Sequence, residues 1–318
     1  MNKNLPTSPL VFEPLFMERI WGGRRLERLF GKQLPPGKRI GESWEIVDRP
    51  EAQSVVRQGS RRGRTLHELW VEERAAIFGA EVPDSPRFPI LAKLLDAQET
   101  LSLQVHPSAQ IAASLGEEPK SEFWYFAAAD DAAVIFAGLR TGVQPAQFEQ
   151  AIDNGRVAEL VPRLPVKSGD SFFVPGGRLH AIGGGNLLVE IQENSDTTYR
   201  VFDWKRTDDE GQPRTLHRTE SMRAIDFEDY EPQLVREEGE RLLESPHFVV
   251  ERWRLGGARV ASEQTTFAIF VCLEGTVECG EVKAGPGDFF LVPACAAKSE
   301  LRPSTTNVSL LRVSLPTR

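Results

Sequence analysis

The chain has only five histidines, and one of them, His180, stands where a metal ligand could be held. It follows Phe172-Phe173-Val174, an apolar run suited to a buried strand, and then the breaker Pro175-Gly176-Gly177. Proline ends such a run because it has no N–H to give a ladder, and the glycines take backbone angles other residues avoid. The next side chain able to turn back inward is His180. A histidine there is either a metal ligand or a core residue satisfied by hydrogen bonds. A second polar feature is the alternating strand Thr100–His106. Leu101, Leu103 and Val105 fall on the face packed against protein. Ser102, Gln104 and His106 fall in a row on the other. Such a row is either solvated or turned into a binding cavity.

An internal repeat bears on His180. Residues 166–180 (VKSGDSFFVPGGRLH) match 287–298 (GDFFLVPACAAK), with Gly169-Asp170 over Gly287-Asp288 and Val174-Pro175 over Val292-Pro293. His180 then falls opposite Lys298 and Gly177 opposite Cys295. Two copies of one strand–turn–strand unit imply two similar β domains. The second copy keeps the strand and turn without the histidine, so the fold does not demand His180. A functional role becomes the better reading.

Around these stretches the chain reads as mainly β. Gly41-Glu42-Ser43-Trp44-Glu45-Ile46 is a strand with Trp44 and Ile46 on one face. Residues 65–78 form a helix opened by a Thr65/Glu68 capping box, with His67 structural or exposed. Residues 119–126 form a strand carrying Lys120, Glu122, Trp124 and Phe126 on one face. Residues 145–161 are a helix with Pro145 in its first turn. Gly183-Gly184-Gly185 reads as a tight hairpin rather than a hinge. Residues 207–215 are a polar loop and 216–245 a connector with a charged, solvated run at 235–241. Short strands recur from 247 to 315, as in a sandwich or barrel. Trp21 and Trp44 read as packing residues, His217 and His247 as surface residues.

The totals limit the partners. At 318 residues, two domains are the expectation. The net charge of −8 disfavours a nucleic-acid partner needing a broad basic surface, yet leaves room for a basic pocket taking one phosphorylated metabolite. The longest apolar run, Phe267–Leu273, is far too short to span a bilayer. Three cysteines, Cys272, Cys279 and Cys295, without a C-x-x-C spacing, read as reduced residues of a cytoplasmic protein.

Gly169, Pro175, Gly177 and His180 meet the pattern G-x5-P-x-G-x2-H, which resembles the second motif of the cupin superfamily. The first cupin motif has H-x-H and then a glutamate. Here the matching strand reads Gln104-Val105-His106, with Glu122 sixteen residues later. That departure resembles one branch, the type I mannose-6-phosphate isomerases in their short bacterial form. Ile20-Trp21-Gly22-Gly23, Gly41–Glu45, Leu101–Pro107, Pro119–Glu122 and Glu190–Arg206 carry the resemblance. It implies two cupin-like (double-stranded β-helix, or jelly-roll) domains: a catalytic metal-binding one over 1–225 with helical insertions, and a degenerate one over 226–318. It implies Gln104, His106, Glu122 and His180 as metal ligands and Arg200 as the catalytic arginine. Ser102, Lys120, Glu190, Asp196 and Arg206 would line the site, with Ser102 and Arg206 near the substrate phosphate. The extra helical domain of longer members has no room here.

Two imidazoles, an amide oxygen and a carboxylate suit Zn²⁺, one per subunit, with manganese, iron or cobalt as other occupants. Interconverting mannose 6-phosphate and fructose 6-phosphate needs a Lewis acid near O1 and O2, a base for the carbon-bound proton, for which Lys120 and Glu190 are both candidates, and a cation such as Arg200 for the enediolate. Glu190 and Asp196 serve equally well as orienting groups. The alternatives are an isomerase of another sugar phosphate, a cupin oxygenase and a sugar-binding cupin. The expected partner is a small sugar phosphate, with no nucleic acid, no membrane, and a monomer or homodimer as the assembly.

Overall fold

Strand Ile90–Ala97 is buried along its whole length, and its two faces explain the architecture. Successive side chains of a strand alternate between faces. Ile90, Ala92 and Leu94 enter a large apolar core, while Leu95 and Ala97 enter a second core on the other side. Only a strand in a sheet covered on both faces can bury both sets. In a computed structural model describing residues 8–207, 211–262 and 266–316, this strand lies within a six-stranded antiparallel sheet. Its order is Leu15–Gly23, Ile40–Ile46, Ile90–Ala97, Asn186–Glu193, Glu122–Ala129, Ser171–Val174. Facing it is a five-stranded sheet ordered Tyr199–Phe202, Leu103–Val105, His180–Ile182, Val134–Ala137, Arg163–Pro165. Trp21, Leu101, Trp124, Phe126, Ile135 and Phe172 fill the space between them.

The rest of the chain repeats this plan. A five-stranded sheet runs Arg241–Glu244, Val249–Leu255, Val308–Ser314, Ala268–Glu274, Phe289–Val292. It faces a four-stranded one ordered Arg259–Val260, Glu300–Pro303, Val277–Cys279, Val282–Ala284. Both glycines that open the repeated unit have positive φ, +91° at Gly169 and +83° at Gly287. The copies diverge after the shared proline. The first goes by Gly177 (φ +100°) into the strand starting at His180, the second into a 3₁₀ turn at Ala294–Ala296. The large sheets of the two halves pack back to back, with Ile90, Phe123 and Val189 in one core with Ile269, Leu291 and Leu311. Leu10 also pairs with Leu291, so the N-terminal segment reaches the second half. The fold is mostly β and cupin-like.

Several local expectations change. The helix over 65–78 keeps its capping box but breaks in two at Glu73 (φ −127°, ψ 21°), whose carboxylate is held by Arg61 and Arg64. The helix over 145–161 stops at Asp153, and a 3₁₀ turn follows at Val157–Leu160. The connector contains a helix, Arg218–Ala224. Trp44 and Ile46 do not share a face: a register shift between them sends Ile46 into the large core and Trp44 beside Val47 and Leu91. Gly183–Gly185 is not a hairpin, because the strands it joins lie in different sheets. It is a corner between them, and a Cβ on Gly183 would stand 2.4 Å from the Val134 carbonyl oxygen. Part of the 207–215 loop, residues 208–210, lies outside the described residues. His67 is structural, its Nδ1 3.1 Å from Asp48. Among the described residues no helix is long and apolar enough to cross a membrane.

Candidate active site

Two rungs of side chains face each other across a cavity of about 430 Å³ between the first pair of sheets. On the smaller sheet, Gln104 lies opposite His180 on one side and Arg200 on the other. On the larger, Glu190 lies opposite Lys93 and Trp124. Lys120 and Glu122 share the Trp124 face, two residues apart, as the alternation predicts. The polar row beginning at Ser102 turns into this cavity, not to solvent. Ser102 Oγ donates to Gln104 Oε1 at 3.4 Å.

At the buried end the two imidazoles meet Glu122. Its Oε1 is 3.1 Å from His106 Nε2, and its Oε2 is 3.9 Å from His180 Nε2. The other ring nitrogens face carbonyls, Thr197 for His106 and Arg178 for His180, each at 2.9 Å. A carbonyl only accepts, so each Nδ1 carries the hydrogen and each Nε2 turns a lone pair toward Glu122. Burial, reinforced by the Lys120 charge, drives the His106 pKa down to about 3, and burial lowers that of His180. Both rings are therefore neutral near pH 7. Burial alone would raise the Glu122 pKa, but the Lys120 charge (Nζ 3.1 Å away) outweighs it and holds it well below the usual range. A carboxylate oxygen and an imidazole lone pair thus face each other without a proton between them. That contact is repulsive, and His106 Nε2 has no hydrogen-bond partner. A divalent cation would turn the repulsion into coordination. His106, Glu122 and His180 place ligand atoms within 4.8 Å of one another, and the Gln104 amide lies 3.3 Å from His180 Nε2. This donor set fits a metal such as zinc.

The opposite wall is a buried ion network. Lys93 Nζ is 3.1 Å from Glu190 Oε1 and 3.9 Å from Glu42 Oε2. Trp124 Nε1 donates to both Glu190 and Glu122. Burial and the Glu122 charge push the Glu190 pKa up to about 7, against Lys93 and Lys120. Arg19 and Trp44 hold the Glu42 carboxylate at 2.8 and 2.6 Å. Trp21 packs in the core between the sheets, as expected, and one side of it lines the cavity.

Toward the mouth stand Asp196, Arg200 and Arg214. Arg200 Nη1 donates to the Thr215 carbonyl at 2.8 Å, and its backbone N–H donates to His217 Nδ1 at 3.0 Å. His217 is therefore a partner of the site's backbone, not a bystander at the surface. Burial and the neighbouring Arg214 charge lower the Arg200 pKa. Arg206 is not brought to this cavity. It holds Asp203 at 2.6 Å and lines a separate opening with Glu99, Thr100, Phe136 and Trp204. Arg214, fixed by two bonds to Asp203 of 2.7 and 2.6 Å, lines the main cavity instead. Arg19, Glu42, Lys93 and Arg214 were not singled out from sequence. Lys93 had a usable signal: a lysine inside the apolar run Ile90–Leu95 must find a buried counter-charge.

A family model for the phosphomannose isomerase type I catalytic domain matches residues 10–134, a span holding Gln104, His106 and Glu122 but ending before His180. The chain is 37% identical over 302 residues to a probable mannose-6-phosphate isomerase of Bacillus subtilis, GmuF, covering 91% of this chain and 94% of that one. It is 40% identical over 281 residues to the mannose-6-phosphate isomerase ManA of the same organism, covering 85% and 87%. Among solved structures, the mannose 6-phosphate isomerase of Bacillus subtilis superposes with a TM-score of 0.86 at 31% identity, over 97% of this chain and 100% of that one. By sequence and by fold, the chain belongs to the type I mannose-6-phosphate isomerase family.

Proposed function

We propose that the protein interconverts mannose 6-phosphate and fructose 6-phosphate by a metal-dependent aldose–ketose isomerisation. The observation that carries this is one cavity lined by Gln104 and Glu122, with the neutral His106/His180 pair buried around Glu122, by Arg200 beside Gln104, and by Arg214 toward the mouth. His106, Glu122, His180 and Gln104 would hold the metal. Zinc is the ion we assign, and a distant structural relative is a mannose 6-phosphate isomerase bound with zinc and yttrium. When bound, the ion supplies Lewis acidity toward the substrate's carbonyl and hydroxyl oxygens.

The chain's own residues do the rest. Glu190, held at both oxygens by Lys93 and Trp124, takes the proton from C2 of the aldose and returns it to C1, while the O2 hydroxyl proton moves to O1, so that the aldehyde becomes a hydroxyl and the hydroxyl a ketone. A base poised near neutrality suits a step that must run in both directions. Lys120 and Arg200 offset the charge of the enediolate formed between the two transfers. Arg214, held by Asp203, stands toward the mouth and reads the phosphate. Ser102 orients Gln104, and Asp196 sits at the rim. We assign the metal and substrate groups to 1–225 and leave 226–318 without a catalytic residue. The three free cysteines agree with a reducing, cytoplasmic setting.

The test is reconstitution. The purified protein is expected to isomerise mannose 6-phosphate, lose activity to a chelator and regain it with Zn²⁺. Activity untouched by complete metal removal would overturn the metal role.

A further inference from the structure

A second cavity, of about 300 Å³, opens between the two sheets of the C-terminal half, and strand register locates it. In the first half Glu190 lies opposite Lys93 and Trp124, and Trp124 lies opposite Phe172. In the second half Arg312 lies opposite Glu251 and Phe270, and Phe270 lies opposite Phe290. Five strands of the two large sheets correspond in order, and Leu15–Gly23 has no counterpart in the second. Arg312 therefore occupies the place of Glu190, and Glu251 that of Lys93. The ion pair is kept with its polarity reversed and only half-buried, Arg312 Nη1 standing 2.8 Å from Glu251 Oε2. Glu122 maps onto Ala268, since each lies opposite the valine before the repeat's proline, Val174 and Val292. The metal carboxylate is gone, but the cavity is not.

The lining of this second cavity is rich in donors. Arg259 and Arg312 approach the Trp253 ring, with guanidinium carbons 3.4 and 5.3 Å from its centroid. Arg312 commits Nε to the Ala261 carbonyl and Nη1 to Glu251 and Ser314. Its Nη2 has no acceptor among the described residues. Trp253 is 5% exposed, and its Nε1 is buried without a partner. An unpaired buried donor costs free energy until an acceptor meets it. Arg241, Arg259 and Arg312 each pair with a carboxylate, Glu244, Glu240 and Glu251 in turn, so what remains open is two unpaired donors, one of them on a guanidinium, and an oxyanion is the acceptor that satisfies both.

We propose that the decayed barrel is a non-catalytic binding site for a small metabolite bearing one oxyanion group, a phosphate monoester or a carboxylate, seated on Arg312 and Trp253. The test follows melting temperature as inorganic phosphate or acetate is added, against chloride at matched ionic strength. An Arg200→Ala background weakens anion binding at the first cavity. One of the two anions should raise the melting temperature by ~2–4 °C more than chloride. Phosphate alone would assign a phosphate monoester, and acetate alone a carboxylate. The rise should fall by more than half in Arg312→Met and in Trp253→Phe, which keeps the ring and removes only the N–H. In an otherwise wild-type chain both substitutions should leave kcat and KM for isomerisation within twofold. No rise beyond chloride, or a rise that survives in both variants, would overturn the proposal. If Arg312→Met does not fold, Trp253→Phe decides alone.

Discussion

His180 and Arg200 sit beside the same residue, Gln104, yet removing each should fail differently. His180→Ala is expected to lower metal occupancy, read by elemental analysis, and activity with it. Arg200→Ala is expected to keep the metal and reduce kcat by about 10²-fold, the scale of losing one charge-stabilising group. Normal turnover in Arg200→Ala would remove its assigned role. His106 gives a pH prediction for the metal-free protein. Its folded pKa of about 3 lies below the unfolded value of about 6.5. Between the two, the unfolded chain binds the extra proton, so this residue's contribution is full above the unfolded pKa and shrinks as pH falls. Stability should drop by up to ~1.4 kcal/mol per pH unit on this account. Urea melts at pH 5 and pH 7 check it, with a smaller difference in His106→Gln. That Gln104 and His106 share one strand face and that His180 turns inward after a Pro-Gly break was legible locally; that they join Glu122 as one proposed ligand set rested on the family resemblance. Arg214 was not, because its position depends on Asp203, eleven residues earlier, across a loop that no periodicity describes.

At the level of elements, the site depends on how two sheets are joined. Gly183 turns the chain from the strand of His180 to the strand of Glu190, so one corner sets the spacing of both rungs. A Cβ at Gly183 meets the Val134 carbonyl oxygen at 2.4 Å, whereas at Gly256 it meets nothing within 4 Å. Gly183→Ala should cost ~2 kcal/mol or more and lower kcat, while Gly256→Ala should change stability by less than ~0.5 kcal/mol. Equal costs in urea melts would contradict the corner's role. The sequence offers Gly183-Gly184-Gly185 as a sharp turn, and that much is right. Whether such a turn joins neighbours in one sheet or crosses to another depends on which strands pair, and pairing is nonlocal. The bulge between Trp44 and Ile46 was illegible for a related reason: one inserted residue flips every later side chain without a mark in composition.

Across the whole molecule, the two halves share a core. Phe88 packs edge-on to Trp70 at 5.6 Å and against Phe78 and Phe267 at 5.2 and 5.3 Å, joining helix, first half and second half. Phe88→Ala should cost ~3–5 kcal/mol. Calorimetry of the wild type should show one cooperative transition, and two well-separated ones would contradict a merged core. The repeat of glycine, strand and proline made the second β unit legible; the back-to-back packing was not, because it follows from which faces are apolar in three dimensions. The same repeat sets the contrast on which the functional reading stands: one barrel keeps two imidazoles around a carboxylate, and the other has Ala268 in the carboxylate's place. The most direct measurement is turnover of mannose 6-phosphate by fully zinc-loaded protein in a coupled assay. The account predicts fructose 6-phosphate formation that saturates with substrate. No turnover on mannose 6-phosphate or any other hexose or pentose phosphate would contradict it.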